Sequence, residues 1–153
     1  MPEPTAYALS RHFTSLLNRE VSFAQAMATP ETKVAKVYGV YVVFPEQTPL
    51  VVRADLALLG SFSGALIGLP DGEVKQRVQS SVIDELLRDP MHEVLNVASA
   101  VVSSVGRAVF KSMTMNPVYL NPEAQRALNE PLHRSYFAVK LEGYQGGRFC
   151  VFE

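Results

Sequence analysis

The sequence predicts an α+β domain in which helices are combined with antiparallel hairpins. Its 153 residues fit one compact domain, and we expect that domain to span residues 1–153. Apolar residues make up 48 % of the chain, which is enough for a sizeable core. Helix-type and strand-type periodicities both occur, and the strand-type runs come in pairs separated by turn residues.

The composition argues against some classes of binding partner and indicates a cellular compartment. The 14 Lys and Arg nearly balance the 15 Asp and Glu, which argues against nucleic acid or a membrane surface as the main partner. No apolar run has the length of a membrane span, and residues 1–30 lack the features of a signal peptide. Cys150 is the sole cysteine and has no partner for an internal disulfide. We therefore expect a protein of the reducing cytoplasm.

The N-terminal part predicts a helix, a short strand and a hairpin. Apolar side chains at helical spacing indicate a helix over residues 5–18, followed by a strand over 20–27 and a loop over 28–33. Residues 36–44 and 50–54 then form the hairpin. Both sides of the strand at 36–44 are apolar or aromatic, so we expect its two faces to be covered by helices of the chain or by a partner.

The glycine-rich stretch at residues 56–69 predicts a second hairpin, with its turn at 61–63. A helix is the alternative, but each interior glycine costs a helix about 1 kcal/mol relative to alanine. Gly60 and Gly64 also suggest a phosphate-binding loop, although the lysine of that pattern is missing. Turns and close packing are therefore the preferred interpretation of these glycines.

Two consecutive helices are predicted in the centre of the chain. The first covers residues 73–88, and Pro90 interrupts the helical pattern. Asp89 is then the N-cap of a second helix over residues 90–110, with a kinked continuation as the alternative. The remaining elements are a strand, a short helix that Asn121 caps, and a closing hairpin, at 117–120, 122–129, 136–142 and 148–152.

The predicted helix over residues 90–110 is amphipathic. Its apolar side chains fall in one broad arc, and Glu93 and Asn96 lie one turn apart in the opposite arc. Ala100 and Ser103 in the same arc are small and leave room for a close approach to the backbone. An acid and an amide on a solvated face are also ordinary surface residues, so periodicity alone leaves both interpretations open.

The spacing of Asp89, Glu93, Asn96 and Pro117 resembles the motif of the CheC/CheX/FliY family of chemotaxis phosphatases. That motif has Asp or Ser, three residues, Glu, two residues and Asn, with a proline some twenty residues later. Here Pro117 follows Asn96 after 20 intervening residues, slightly fewer than the family usually has. The chain carries one copy of the motif, which favours a CheX-like relative.

The resemblance implies a fold, an activity and a partner. The fold is an antiparallel sheet with long helices packed on one face. The substrate is the aspartyl phosphate of a CheY-like receiver domain, which carries its own magnesium ion, so that no cofactor is bound by this chain. Asn96 would orient the attacking water, and Glu93 would pair with a cation of the receiver, its active-site lysine. Asp89 is explained more simply as the helix cap.

Two other functions stay open on the sequence alone. One is a non-catalytic interaction domain of the same fold, which would bind its partner through the same polar face. The other is a structural domain that forms a homodimer through the two-sided strand at 36–44. A zinc site on the helix is not expected, because Asn96 stands where a second histidine would have to follow His92.

Overall fold

A single six-stranded antiparallel sheet organises the chain, as shown by a computed structural model that describes residues 5–28 and 33–153. The strands occur in the spatial order β1-β5-β6-β3-β2-β4. They are β1 Val21–Gln25, β2 Lys36–Phe44, β3 Thr48–Asp55, β4 Arg107–Thr114, β5 Arg134–Leu141 and β6 Tyr144–Phe152. The predicted α+β class with an antiparallel sheet is confirmed.

Helices lie on both faces of this sheet. They are α1 Ala6–Leu17, α2 Leu56–Ile67, α3 Asp71–Val78, α4 Glu85–Ala98 and α5 Pro122–Asn129, with a 3₁₀ turn at Pro117–Tyr119. α1, α2 and α4 contribute to the main core on what we call the first face. α5 packs on the opposite side, the second face, over a smaller core. No helix among the described residues is long and apolar enough to cross a membrane.

Strand β2 is buried on both sides, as its sequence predicts. Val37, Tyr41 and Val43 belong to the core of the first face. Tyr38 and Val40 belong to the core of the second face, where Ala residues of α5 cover them. The covering elements are therefore helices of the chain itself.

The predicted second hairpin at residues 56–69 is wrong, because this stretch forms α2. A β-carbon added to Gly60 would lie 2.7 Å from Val78 Cγ1, and one added to Gly64 would lie 2.3 Å from Val74 Cγ2. The glycines thus let α3 approach α2 closely, and the buried apolar surface offsets their unfavourable helix propensity. The helix ends at Ile67, and Gly68 is its C-cap, with a φ of 81° in the left-handed region. Close packing was the correct part of the prediction.

The boundaries of the central helices also differ from the prediction. α3 stops at Val78, and α4 begins at Glu85 with Asp84 as its cap. The Asp84 carboxylate accepts the N–H of Leu86 at 2.9 Å. Asp89 is therefore not the N-cap, since it lies inside α4 directly before Pro90. The helix tolerates that proline at the loss of one backbone hydrogen bond, while the opposite face remains buried.

The predicted helix over residues 90–110 ends early, at Ala98. Residues 107–114, whose first part was predicted to complete that helix, form the edge strand β4 and pair with β2. Gly106 allows the chain to enter the sheet, since a β-carbon there would lie 2.1 Å from the carbonyl oxygen of Phe44. The many valines of this region fit a strand as well as a helix, and pairing with β2 decides between them.

The remaining predictions are mostly confirmed. α1, β1, the β2–β3 hairpin and the β5–β6 hairpin lie where the periodicity places them. Asn121 caps α5, because its side-chain oxygen accepts the N–H of Ala124 at 2.8 Å. Residues 117–120 were predicted as a strand and instead form the 3₁₀ turn and its cap. Most of the loop predicted at 28–33 lies outside the described residues.

Candidate functional site

The candidate site is the exposed face of α4, and its position depends on how the other face of this helix is buried. Five apolar residues of α4 belong to the core of the first face and are at most 1 % exposed. They are Leu87, Met91, Val94, Leu95 and Ala98. Because this stripe is buried against α2 and the sheet, the opposite side of the helix is held at a fixed orientation to solvent.

A buried hydrogen bond holds the last turn of α4. The hydroxyl of Tyr41 in β2 donates to the carbonyl oxygen of Leu95 at 2.5 Å. The adjacent Gly39 gives the Leu95 side chain room, since a β-carbon there would lie 3.3 Å from both Leu95 methyl groups. Carbonyls in the last turn of a helix lack intrahelical partners, so Tyr41 satisfies one that lies next to Asn96.

Glu93 and Asn96 lie together on the exposed side of α4, one helical turn apart. Asp89 is also exposed and precedes Glu93 by one turn. Pro117 is elsewhere, because it lines a cleft on the second face with Tyr38. Of the four residues that carry the resemblance, three share one helix face and the proline does not.

The exposed side of α4 is acidic over three turns. Glu85, Asp89 and Glu93 follow each other at intervals of four residues and are all exposed. None of them forms an ion pair with a described residue, and Arg88 is the single cation of the helix. Like charges at this spacing disfavour an isolated helix slightly and create a negative potential that suits a cationic partner.

Glu85 was missed at the level of sequence. The prediction started the helix at Pro90 and so placed Glu85 in a preceding helix with a different orientation. Asp84 was the available signal, because an Asp followed by Glu at the first helical position is typical of a helix start. Asp89 followed by Pro90 is an equally strong signal for the start of a helix. It led to a predicted helix start that is five residues too late.

The chemistry that the side chains of this face offer is hydrogen bonding and charge pairing. His92 packs edge-on against Phe110 of β4, with ring centroids 5.6 Å apart. Among residues 5–28 and 33–153, no group of three or more His, Cys, Asp or Glu side chains is arranged to hold a metal ion. An exposed amide can donate and accept hydrogen bonds, and an exposed carboxylate can pair with a cation. These side chains therefore offer hydrogen bonds and negative charge to a docked partner.

Comparison with known proteins identifies the fold. The sequence matches no family model and no curated protein. The structure is similar to a chain of the FliM–SpeE complex from H. pylori, at 11 % identity and a TM-score of 0.68, covering 96 % of this chain and 80 % of that one. It is also similar to FliY from Thermotoga maritima, at 12 % identity and a TM-score of 0.58, covering 93 % of this chain and 80 % of that one. The FliM middle domain from H. pylori is similar at 15 % identity and a TM-score of 0.55, covering 96 % of this chain and 84 % of that one.

These similarities confirm the resemblance to the CheC/CheX/FliY family at the level of fold. The chain has the fold shared by FliM middle domains and FliY. At such identities the likeness carries the arrangement of helices and sheet and does not carry the chemistry of individual side chains. The comparison therefore assigns no role to Glu93 or Asn96.

Proposed function

We propose that this chain is a phosphatase for the aspartyl phosphate of a CheY-like receiver domain, acting in chemotaxis or related two-component signalling in the cytoplasm. The observation that carries the proposal is the exposure of Glu93 and Asn96 side by side on α4, at the spacing of the family motif. The FliY-like and FliM-like fold supports a protein of this signalling class. A single motif helix agrees with a CheX-like member.

Asn96 is the catalytic residue in this proposal. In the hydrolysis, a water oxygen bonds to phosphorus while the bond from phosphorus to the aspartyl oxygen breaks, which restores the carboxylate and releases phosphate. The magnesium ion and lysine of the receiver stabilise the phosphoryl charge, so the phosphatase mainly has to place the water in line. An amide suits this task, because it hydrogen-bonds the water in either direction and does not titrate near neutral pH.

Glu93 fixes the register of docking. Its carboxylate pairs with a cation beside the phosphorylation site of the receiver, and that pairing brings Asn96 to the water. Glu85 and Asp89 extend the negative potential along the helix and accelerate the encounter with a positively charged surface. Magnesium belongs to the receiver in this scheme, and α4 supplies no ligand to it.

The test is a dephosphorylation assay with receiver domains that a small phosphodonor has phosphorylated. We expect the wild-type chain to accelerate loss of phosphate from its cognate receiver and Asn96→Ala to reduce that acceleration about 100-fold. Asn129→Ala is the matched control, because Asn129 is an exposed asparagine on α5, across the sheet. Equal rates for the wild type and Asn96→Ala would show that Asn96 has no such role.

A non-catalytic interaction domain is the second candidate. It is favoured by the similarity to the FliM–SpeE complex, which contains FliM bound to another protein. In that case a receiver or another signalling protein would bind the face of α4 without any gain in dephosphorylation. The hypothesis of a homodimer formed through β2 loses its supporting observation, because helices of the chain itself cover both sides of that strand.

A further inference from the structure

The strands of the sheet carry an excess of basic residues that the near-neutral total charge conceals. Asp55 is the single acidic residue in the described strands. The basic residues of the strands are Lys36, Arg53, Arg107, Lys111, Arg134, Lys140 and Arg148. Alternation along each strand determines which of them share a face.

The second face of the sheet carries Arg53, Arg134, Lys140 and Arg148. It also carries Lys36, which alternates with Tyr38 of the same face. Cross-strand pairing joins Arg53 to Cys150, and Cys150 belongs to the core of that face. Arg134 pairs with Phe152, another residue of the same core. Arg148 lies two residues before Cys150 on β6 and therefore points to the same side. Lys140 follows Arg134 on β5 by an even number of residues, so these two side chains also share a face.

Three of the strand cations lie near Cys150. The Arg53 guanidinium lies over the ring of Phe152, 5.0 Å from its centroid. Burial raises the pKa of the Cys150 thiol, and the nearby positive charges of Arg53, Arg148 and Lys36 act in the opposite direction. These groups therefore contribute to one positive patch around the centre of the second face.

The carboxylate of Asp55 lies at the border of this patch. Lys36 forms an ion pair with Asp55, and the same carboxylate accepts the backbone N–H of Arg148 at 2.9 Å. Arg53, Arg134, Lys140 and the Arg148 side chain have no carboxylate partner in the described part of the chain. The Arg148 guanidinium donates to the carbonyl oxygen of Met27. These four side chains are spread along β3, β5 and β6 without a paired carboxylate, and their positive potential attracts an anionic partner.

The second face is also only partly covered. α5 packs over β3, whereas the residues of β1 and β5 that face the same side are largely exposed, including Ala24, Ala138 and Lys140. Two clefts flank the patch. One of about 480 Å³ beside α5 contains Arg53, and one of about 370 Å³ beside the end of β1 contains Arg134.

We propose that the second face binds an acidic polypeptide segment of a partner protein, with carboxylates on Arg53, Arg134, Lys140 and Arg148. Apolar side chains of the segment would contact Val118 and Tyr119, which are 73 % and 78 % exposed at the rim beside α5. This surface is separate from α4, which lies across the sheet and has the opposite charge.

A polypeptide fits this face better than a nucleic acid does. Single-stranded nucleic acids bind by stacking their bases on exposed aromatic rings. Tyr38 and Phe152 at the centre of the patch are only 6 % and 3 % exposed, so bases cannot stack on them and would have to use Tyr119 at the rim. A flat membrane surface is also a poorer match, because Arg53 lies in a cleft that α5 borders.

The experiment uses short labelled peptides as probes. The distance from β2 to β1 is four strand spacings of ~4.8 Å, which about six extended residues cover. The first probe alternates Glu with Leu over about eight residues, and its matched control replaces every Glu by Gln. Oligothymidylate and anionic phospholipid vesicles test the other anionic partners. Fluorescence anisotropy gives the affinity of the soluble probes, and co-sedimentation gives that of the vesicles.

We expect the Glu peptide to bind about tenfold more tightly than the Gln peptide at low salt, with the difference shrinking as salt is added. Arg134→Gln should weaken binding of the Glu peptide about threefold, and Arg53→Gln at least as much. Arg134 is exposed, so its variant stays informative if the loss of Arg53 from Phe152 harms folding. Arg88→Gln on α4 is the matched control and should leave peptide affinity unchanged.

Several outcomes would overturn this proposal. They are equal or undetectable binding of the two peptides, an affinity that Arg134→Gln does not change, and a preference for oligothymidylate or vesicles over the Glu peptide. None of these outcomes bears on the phosphatase proposal, since the peptide assay contains no receiver domain and the control arginine lies on α4.

Discussion

At the scale of single residues, the exposed pair on α4 depends on buried neighbours that hold the helix. Asn96 follows Leu95 directly, and the Leu95 carbonyl is fixed by the Tyr41 hydroxyl. The sequence identified Glu93 and Asn96, because helical spacing and the family motif are local properties. The sequence did not identify Tyr41 as their support, since its contact with Leu95 joins residues 54 positions apart.

Removal of the Tyr41 hydroxyl should destabilise the fold and loosen the end of α4. Tyr41→Phe leaves the buried Leu95 carbonyl without this partner, and we expect unfolding free energy to fall by about 1–3 kcal/mol in chemical denaturation. Tyr119→Phe is the control, because Tyr119 is 78 % exposed and its loss should cost less than about 0.5 kcal/mol. Equal effects of the two variants would contradict the anchoring role of Tyr41.

His12 in α1 should make stability depend on pH. Burial lowers its pKa, and a hydrogen bond with the backbone of Val97 partly offsets that effect. The folded state therefore binds the proton less readily than the unfolded chain, whose histidine has a pKa of about 6.5. The contribution of neutral His12 is complete above that pH and is lost as the pH falls below it.

The corresponding measurement is the unfolding free energy of the wild type and His12→Gln between about pH 5 and pH 8. Because His12 is only half-buried, we expect the wild type to lose less than about 1 kcal/mol relative to the variant as the pH falls. Parallel pH profiles for the two proteins would show that His12 does not contribute.

At the scale of elements, the sequence predicts those that carry strong local signals. α5 begins at Pro122 and has Asn121 as its cap, and the β2–β3 hairpin has two apolar strands joined by a short turn. The prediction from sequence fails for α2 and β4, because tertiary contacts there override the local conformational preference. Gly60 and Gly64 disfavour a helix in isolation, yet they allow α3 to pack against α2.

The contact between α2 and α3 gives a direct test of that explanation. Gly64→Ala would bring a methyl group within 2.3 Å of Val74 Cγ2, in a site where Val74 is fully buried. We expect a loss of about 1–3 kcal/mol in unfolding free energy, although alanine is the better helix former. Gly72→Ala in α3 is the control, because nothing lies within 4 Å of the added β-carbon.

Gly72→Ala should be neutral or stabilise the fold by up to about 1 kcal/mol, since it improves helix propensity without steric conflict. Denaturant titrations of the two variants measure both effects. Stabilisation by Gly64→Ala would mean that α3 does not need the space that Gly64 leaves.

At the scale of the whole molecule, total charge and charge distribution lead to different expectations. The formal net charge of −1 argues against nucleic acid or a membrane surface as the main partner. In the fold, Glu85, Asp89 and Glu93 gather on α4, while Arg53 and Arg134 lie across the sheet. Composition cannot reveal this separation, because it depends on which strands pair and on which side each residue points. Two separate faces of opposite charge suit two different partners.

The fold class could be predicted from the sequence, whereas the full extent of the candidate site could not. The periodicity of the strands and the family motif led to the antiparallel sheet and to Glu93 and Asn96. The acidic row from Glu85 onward required the true start of α4. The position of Pro117 across the sheet required the complete topology.

The most direct test of the central claim measures binding and turnover separately, with the cognate phosphorylated receiver and the variants Asn96→Ala and Glu93→Ala. If α4 is a catalytic face, Asn96→Ala should lower turnover about 100-fold while affinity for the receiver changes little. Glu93→Ala should mainly weaken binding, by about tenfold. Receiver binding to the wild type without faster loss of phosphate would contradict the account and identify the chain as an interaction domain.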